Sequence, residues 1–242
     1  MGINTGIILA AGLGSRLAGS NSETSLKPLT PVAGKPLMLR TLDSLAVAGC
    51  QRVIIVVGYS GREVQSAIEL AYSGSLEIIF AQNEQYKLSN GLSVLAASPY
   101  LNGTFLLTMA DHIFDDDVML LAGSHVPPEN GATLLVDHKL NDVFDMDDAT
   151  KVLEKDGRIM AIGKEIQSFN SVDTGLFVCT TGLVEAIRDV YEKEGDSSLS
   201  DGVHALSASG RMTVLDIGEG FWQDVDTPEM LREAESRLLG AH

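Results

Sequence analysis

The chain has 242 residues, with 33 acidic against 17 basic side chains and a formal charge of −16 at neutral pH. That balance leaves no basic footprint for nucleic acid or an anionic membrane, so any phosphate ligand must be met by a few placed cations and a metal ion. The composition, 45% hydrophobic but only 5% aromatic, fits an α/β chain long enough for a full core. No apolar run nears the roughly 20 residues of a membrane span, and no basic segment opens the chain as a signal peptide would. Cys50 and Cys179 lie in apolar neighbourhoods and read as buried, reduced thiols, so a cytoplasmic protein is expected.

In chain order, a buried strand is predicted over residues 4–11 and a helix over 37–48 that stops near Gly49. A strand over 52–57, a helix over 62–71 and a third strand over 76–81 follow. A short helix over 90–97 leads to a fourth strand over 104–109, which ends at Asp111. Alternation of this kind predicts a doubly wound, mostly parallel (mixed) sheet with helices on both faces. Strand order 3-2-1-4 would place a crevice at the carboxyl ends of strands one and four, bringing Gly12–Arg16 beside Asp111.

The second half reads differently. Residues 151–155 and 158–164 flank Asp156-Gly157, a pair suited to a type I′ hairpin turn. A strand over 171–179, a helix over 183–193 and short strands over 212–216 and 221–225 follow. Thr227-Pro228 opens a last helix, with Thr as its cap and Pro at the first helical position. The acidic, aperiodic stretch 137–148 reads as a loop over the site or a solvated edge. One domain is expected, with a small β-hairpin subregion in its second half.

The chemistry concentrates in a few places. The strand Ile7-Ile8-Leu9-Ala10-Ala11 breaks into Gly12-Leu13-Gly14-Ser15-Arg16, with Lys27-Pro28 shortly after. Glycines let a ligand approach the main chain, successive amides cradle an anion, and Arg16 adds a planar fork of donors. Neither G-x-G-x-x-G nor G-K-S/T is completed, and two cations close to one loop suit a triphosphate. Two glycines also suit any strand-to-helix turn. Lys27, held on an extended segment by Pro28, is placed as a point charge for phosphate.

Asp111 ends an apolar strand, where it can hold Mg²⁺ or merely cap a helix. His112 is an orienting or packed residue, since Mg²⁺ disfavours imidazole. Asp224 and Asp226 alternate on a strand and share a face. Asp226 is the better second ligand, unless it only supports the final helix. Asn90-Gly91 could read a base edge or simply turn the chain. Lys164 and Asp173, with Thr174 and Gly175, suit a polyol phosphate, or else a surface ion pair. Gly175 within a strand suggests close approach of a ligand or another backbone.

Together these segments resemble the nucleotidyltransferases that join an NTP to a sugar or alcohol phosphate. The finer likeness is to CTP:inositol-1-phosphate cytidylyltransferases. It rests on Leu107-Thr108-Met109-Ala110-Asp111-His112, Ala149-Thr150-Lys151-Val152, Asp156-Gly157-Arg158-Ile159, Ile162-Gly163-Lys164, Val172-Asp173-Thr174-Gly175-Leu176-Phe177 and Trp222-Gln223-Asp224-Val225-Asp226-Thr227. The resemblance implies a Rossmann-like Mg²⁺-dependent transferase with a nucleotide half over 1–130 and an acceptor half over 131–242. By it, Ala10, Ala11, Gly12, Leu13, Gly14 and Arg16 hold the triphosphate, Lys27 the reacting phosphates and Asn90-Gly91 the base. Asp111 and Asp226 hold Mg²⁺, while Lys164 and the Asp173-Thr174-Gly175 segment take the acceptor. The substrates implied are CTP and a phosphorylated alcohol, with a separate membrane CDP-alcohol phosphotransferase downstream and room for a homodimer. Residues 18–23 read as a polar flap. Sugar-1-phosphate nucleotidyltransferase, phosphocholine or phosphonate cytidylyltransferase, and a nucleotide-sensing module stand as alternatives.

Overall fold

The structure, a computed structural model, describes residues 2–12 and 26–240. Strand β1 (Thr5–Ala10) comes first; a 3-10 turn (Lys27–Leu29), the short strands β2 (Pro31–Val32) and β3 (Lys35–Pro36), and helix α1 (Leu37–Val47) follow. Then come β4 (Arg52–Val57), α2 (Gly61–Ala71), β5 (Glu77–Gln82), α3 (Gly91–Ala97) and β6 (Thr104–Met109). Next are β7 (His112–Phe114), α4 (Asp116–Ser124), β8 (Ala132–Asp137) and the hairpin β9 (Lys151–Lys155) and β10 (Arg158–Gly163). The chain continues through β11 (Ser171–Thr180), α5 (Thr181–Glu194), α6 (Leu199–Ala208), β12 (Met212–Asp216), β13 (Trp222–Asp224) and α7 (Pro228–Gly240).

The main sheet runs β5-β4-β1-β6-β11-β8-β12-β10-β9 among the described residues. Its first four strands are parallel, in the expected 3-2-1-4 order of the major strands, and β11 joins β6 antiparallel to make the sheet mixed. Both faces are covered. Ile8 and Ala10 of β1 pack with α1, α2 and α4 residues, while Ile7 and Leu9 pack with α3, α5 and α6 residues. Burial on both sides explains why β1 reads as an unbroken apolar run rather than an alternating one. The hairpin turn is as expected, with Asp156 at φ 52° and Gly157 at φ 73°, the positive pair that a type I′ turn requires.

Two differences from the sequence reading bear on the site. Lys27 does not lie on an extended segment: it begins a single 3-10 turn, with Leu29 N–H donating to Leu26 O at 2.9 Å and Thr30 N–H to Lys27 O at 3.1 Å. Pro28 tolerates this because a first turn does not use the N–H that proline lacks. In addition, α4, β8 and α6 are regular elements to which the sequence reading assigns nothing. β8 lies inside the sheet between β11 and β12, and α6 forms one wall of the crevice described next.

Candidate active site

A crevice of about 910 Å³ opens at the carboxyl ends of β1 and β6, where the strand order reverses. Ala10, Ala11 and Gly12 line it at the end of β1, and a Cβ on Gly12 would meet no atom within 4 Å, so its backbone faces open space. Leu13, Gly14 and Arg16, like the expected flap over 18–23, lie outside the described residues.

Asp111 stands two residues beyond the end of β6. Its register is set from both sides: Ala110 N–H donates to Leu9 O at 3.1 Å, and Val225 N–H donates to Asp111 O at 2.9 Å. The second bond continues the β7–β13 ladder, which pairs His112 with Asp224. Asp115 secures that ladder by accepting Phe221 N–H at 2.8 Å and Val118 N–H at 3.0 Å, the latter as the cap of α4. These bonds bring Asp226 beside Asp111. Lys27 Nζ donates to Asp111 Oδ2 at 2.5 Å and also to Asp226 Oδ1, joining groups 84 and 199 residues away in sequence. Burial alone would lower the lysine pKa, but Asp111 and Asp226 outweigh it and raise it. Asp111 is likewise opposed by burial, yet His112 and Lys27 hold it well below the usual carboxylate range.

His112 lies with Nδ1 2.6 Å from Asp111 Oδ1. Burial works against its charged form, and Asp111 first, then Asp224 and Asp173, overcome that and raise its pKa. Asp173 and Asp224 line the same crevice. Burial pushes Asp173 up to about 6, against the opposing pull of the Gly175 N–H bond and His112. Burial also raises Asp224, with His112 opposing it and Asp226 and Asp111 reinforcing it.

Further along the crevice, Lys164 Nζ donates to Asp148 Oδ1 at 2.5 Å. The lysine is thus paired, with Asp148 rather than with Asp173. Asp173 Oδ1 instead accepts its own Gly175 N–H at 2.7 Å. The Thr174 hydroxyl points into the fold and donates to Leu135 O at 2.8 Å, so it is not among the crevice-lining groups. Gly175, at φ +74°, gives way to a side chain rather than to a backbone: a Cβ there would lie 2.5 Å from His112 Nε2. At the other wall, Asn90 Oδ1 accepts Leu199 N–H at 2.8 Å, fastening the start of α6. A Cβ on Gly91 would lie 2.4 Å from Ser197 O, so this glycine serves close backbone packing. Residues that sequence reasoning does not single out also line the crevice, among them Tyr86, Lys87, Asp148 and Ser200. Asp148 carried a usable signal: it ends the acidic stretch that reads as a loop over the site or a solvated edge.

Asp111 and Asp226 offer hard oxygen donors that already converge on one cation, which is the chemistry Mg²⁺ prefers. No group of three or more His, Cys, Asp or Glu is assembled for a metal among the described residues. Two carboxylates supplemented by phosphate oxygens and water suit Mg²⁺ in particular, because it is rarely caged by protein alone.

Fold and crevice together define a nucleotidyltransferase: a parallel switch point, Gly12 open to it beyond the end of β1, a lysine, and two aspartates shortly after β6 and β13. The chain belongs to the MobA-like NTP transferase domain family, which it matches over residues 6–201. It is 30% identical over 98% of its length to the bifunctional IPC transferase and DIPP synthase of Aquifex aeolicus, covering 52% of that protein. To the protein of the same description from Rubrobacter xylanophilus it is 32% identical, covering 96% of this chain and 51% of that one. The chain thus spans about half the length of these curated relatives. Among solved structures, the inositol-1-phosphate CTP transferase from T. maritima superposes with a TM-score of 0.85 at 26% identity, covering 99% of this chain and 97% of that one. Among the described residues no helix is long and apolar enough to cross a membrane, and Cys50 and Cys179 are buried and free.

Proposed function

We propose that the chain transfers the cytidylyl group of CTP to inositol-1-phosphate, or to a similar polyol phosphate, with release of pyrophosphate. The observation that carries the transfer reaction is Lys27, held by Asp111 and Asp226 in the same crevice as Lys164 and Asp173. The choice of CTP and inositol phosphate draws its support from the likeness to the T. maritima transferase along nearly the whole chain.

In this reading an acceptor phosphate oxygen attacks the α-phosphorus of CTP in line. The new P–O bond forms as the bond to the β-phosphate oxygen breaks, and pyrophosphate carries the electron pair away. Lys27 faces the α-phosphate, where negative charge builds. Arg16 with Gly12 and Gly14 holds the departing β- and γ-phosphates, and Asn90-Gly91 borders the base. Asp111 and Asp226 would hold Mg²⁺, which supplies further neutralisation of phosphate charge. Lys164 exchanges Asp148 for the acceptor phosphate, and Asp173 accepts acceptor hydroxyls. Catalysis is then positioning and electrostatics without a covalent enzyme intermediate. Residues 1–130 serve the nucleotide and 131–242 the acceptor, and a membrane CDP-alcohol phosphotransferase would consume the product.

The test is pyrophosphate release across a matrix of NTPs and acceptor phosphates in the presence of Mg²⁺. CTP with inositol-1-phosphate is expected to be the fastest pair. Preference for UTP with glucose-1-phosphate would assign a sugar substrate, and preference for phosphocholine an amino-alcohol one.

A further inference from the structure

The Asp111 carboxylate is divided between two partners, with Oδ2 taking Lys27 Nζ at 2.5 Å and Oδ1 lying 2.6 Å from His112 Nδ1. A carboxylate can only accept, so Nδ1 carries the proton of that bond. The imidazole is itself seated from several directions. Trp222 lies nearly parallel to it, with centroids 6.1 Å apart and planes 16° apart, and Phe114 lies 6.2 Å away at 25°. Gly175 supplies the remaining space, since a Cβ at that position would stand 2.5 Å from Nε2. The β7–β13 ladder fixes these neighbours in register, pairing Trp222 with Phe114 and Asp224 with His112.

Rotation of a carboxylate about its last bond is soft, so one firm bond to Oδ1 decides where Oδ2 points. We infer that His112 is a positioning residue that locks the Asp111 carboxylate, so that Oδ2 is presented to the place it shares with Asp226. The ring lies beside Trp222 and Phe114 at the crevice wall and is tied to Asp111, and in this role it acts on the chemistry through that aspartate. Gly175 acquires a reason in the same step: its missing side chain is the seat of the ring. The inference rests on the reading that Asp111 and Asp226 hold a divalent cation. Hydrogen-bonded partners of metal-ligating groups typically change metal affinity by about 10–100-fold.

The test titrates Mn²⁺ alone into the full chain and follows free Mn²⁺ by electron paramagnetic resonance, with thermal melting as the check on folding. His112→Ala is expected to weaken Mn²⁺ binding by about 10-fold or more. His112→Asn, whose amide can donate from near the position of Nδ1, recovers most of the loss, which a purely space-filling role would not allow. Gly175→Ala displaces the ring and weakens Mn²⁺ binding in the same direction without altering Asp111 or His112. Should His112→Ala fail to fold, the His112→Asn and Gly175→Ala variants carry the test. Wild-type affinity in folded His112→Ala, an Asn variant no better than Ala, or a wild-type chain that binds no Mn²⁺ would each overturn the inference. His112-dependent Mn²⁺ binding by a protein that releases no pyrophosphate would refute the reaction while leaving the positioning role intact.

Discussion

Replacing Asp173 by Asn should make the protein more stable at alkaline pH and worse at using its acceptor. The carboxylate accepts one backbone N–H bond from Gly175 at 2.7 Å, and burial pushes its pKa from 3.8 up to about 6. The folded state binds a proton that the unfolded state has already released, so stability falls as pH rises from about 4 to about 6 and stays lowered above. A rise to about 6 corresponds to ~3 kcal/mol at pH 8, roughly half of it already present at pH 5. Asparagine has no charge to desolvate, and its amide oxygen can keep the Gly175 bond. For a chain of this size ~3 kcal/mol corresponds to about 6–12 °C in melting temperature, as an upper bound for a group that faces the crevice. Thermal melts of both proteins between pH 5 and pH 8 give the test. The Asp173→Asn protein should melt higher, by a margin that grows with pH, while its acceptor KM rises and CTP binding without acceptor stays unchanged. A margin independent of pH, or a destabilised variant at pH 8, would refute the reasoning.

Asp111→Asn should fold yet lose about 30- to 1000-fold in turnover, the ~2–4 kcal/mol of one charge-assisted contact in the transition state; near-normal rates at saturating Mg²⁺ would contradict it. Asp226→Asn should behave alike and Asp224→Asn more mildly, and a reversed order in steady-state assays would transfer the ligand role to Asp224. Lys27→Ala should fall mainly on kcat, whereas Arg16→Ala should also weaken CTP binding, so equal effects confined to KM would refute that division. Gly91→Ala should lower stability by about 1–3 kcal/mol in denaturant melts, because the new methyl meets the Ser197 carbonyl at 2.4 Å and backbone cannot give way cheaply.

Much of the first 130 residues was legible because the signals there are local. Strands β4 and β6 begin and end where the apolar runs do, and Asp156-Gly157 dictates its own turn. Lys27 shows where locality misleads. Pro28 argues for extended backbone before it, but a single 3-10 turn escapes the restriction. Helix α4 had a readable start in Asp115 followed by two acids, and Asp115 does cap it, but the signal is short and β8 behind it is buried along its whole length without alternation. The pairing of Asp111 with Asp226 was inferable as a pattern, yet the bond from Val225 to Asp111 that enforces it belongs to the tertiary fold. The same holds for Lys164, whose partner Asp148 lies in an aperiodic loop, and for Gly175, whose neighbour His112 comes from a distant strand.

The most direct measurement is of the product formed when the protein is incubated with Mg²⁺, CTP and inositol-1-phosphate, followed by mass spectrometry alongside pyrophosphate release. A CDP-inositol species is expected to form in step with pyrophosphate, and nearly to disappear in Asp111→Asn. Pyrophosphate release from no NTP and acceptor pair, or a product whose formation is indifferent to Asp111 and Lys27, would contradict the proposed transfer.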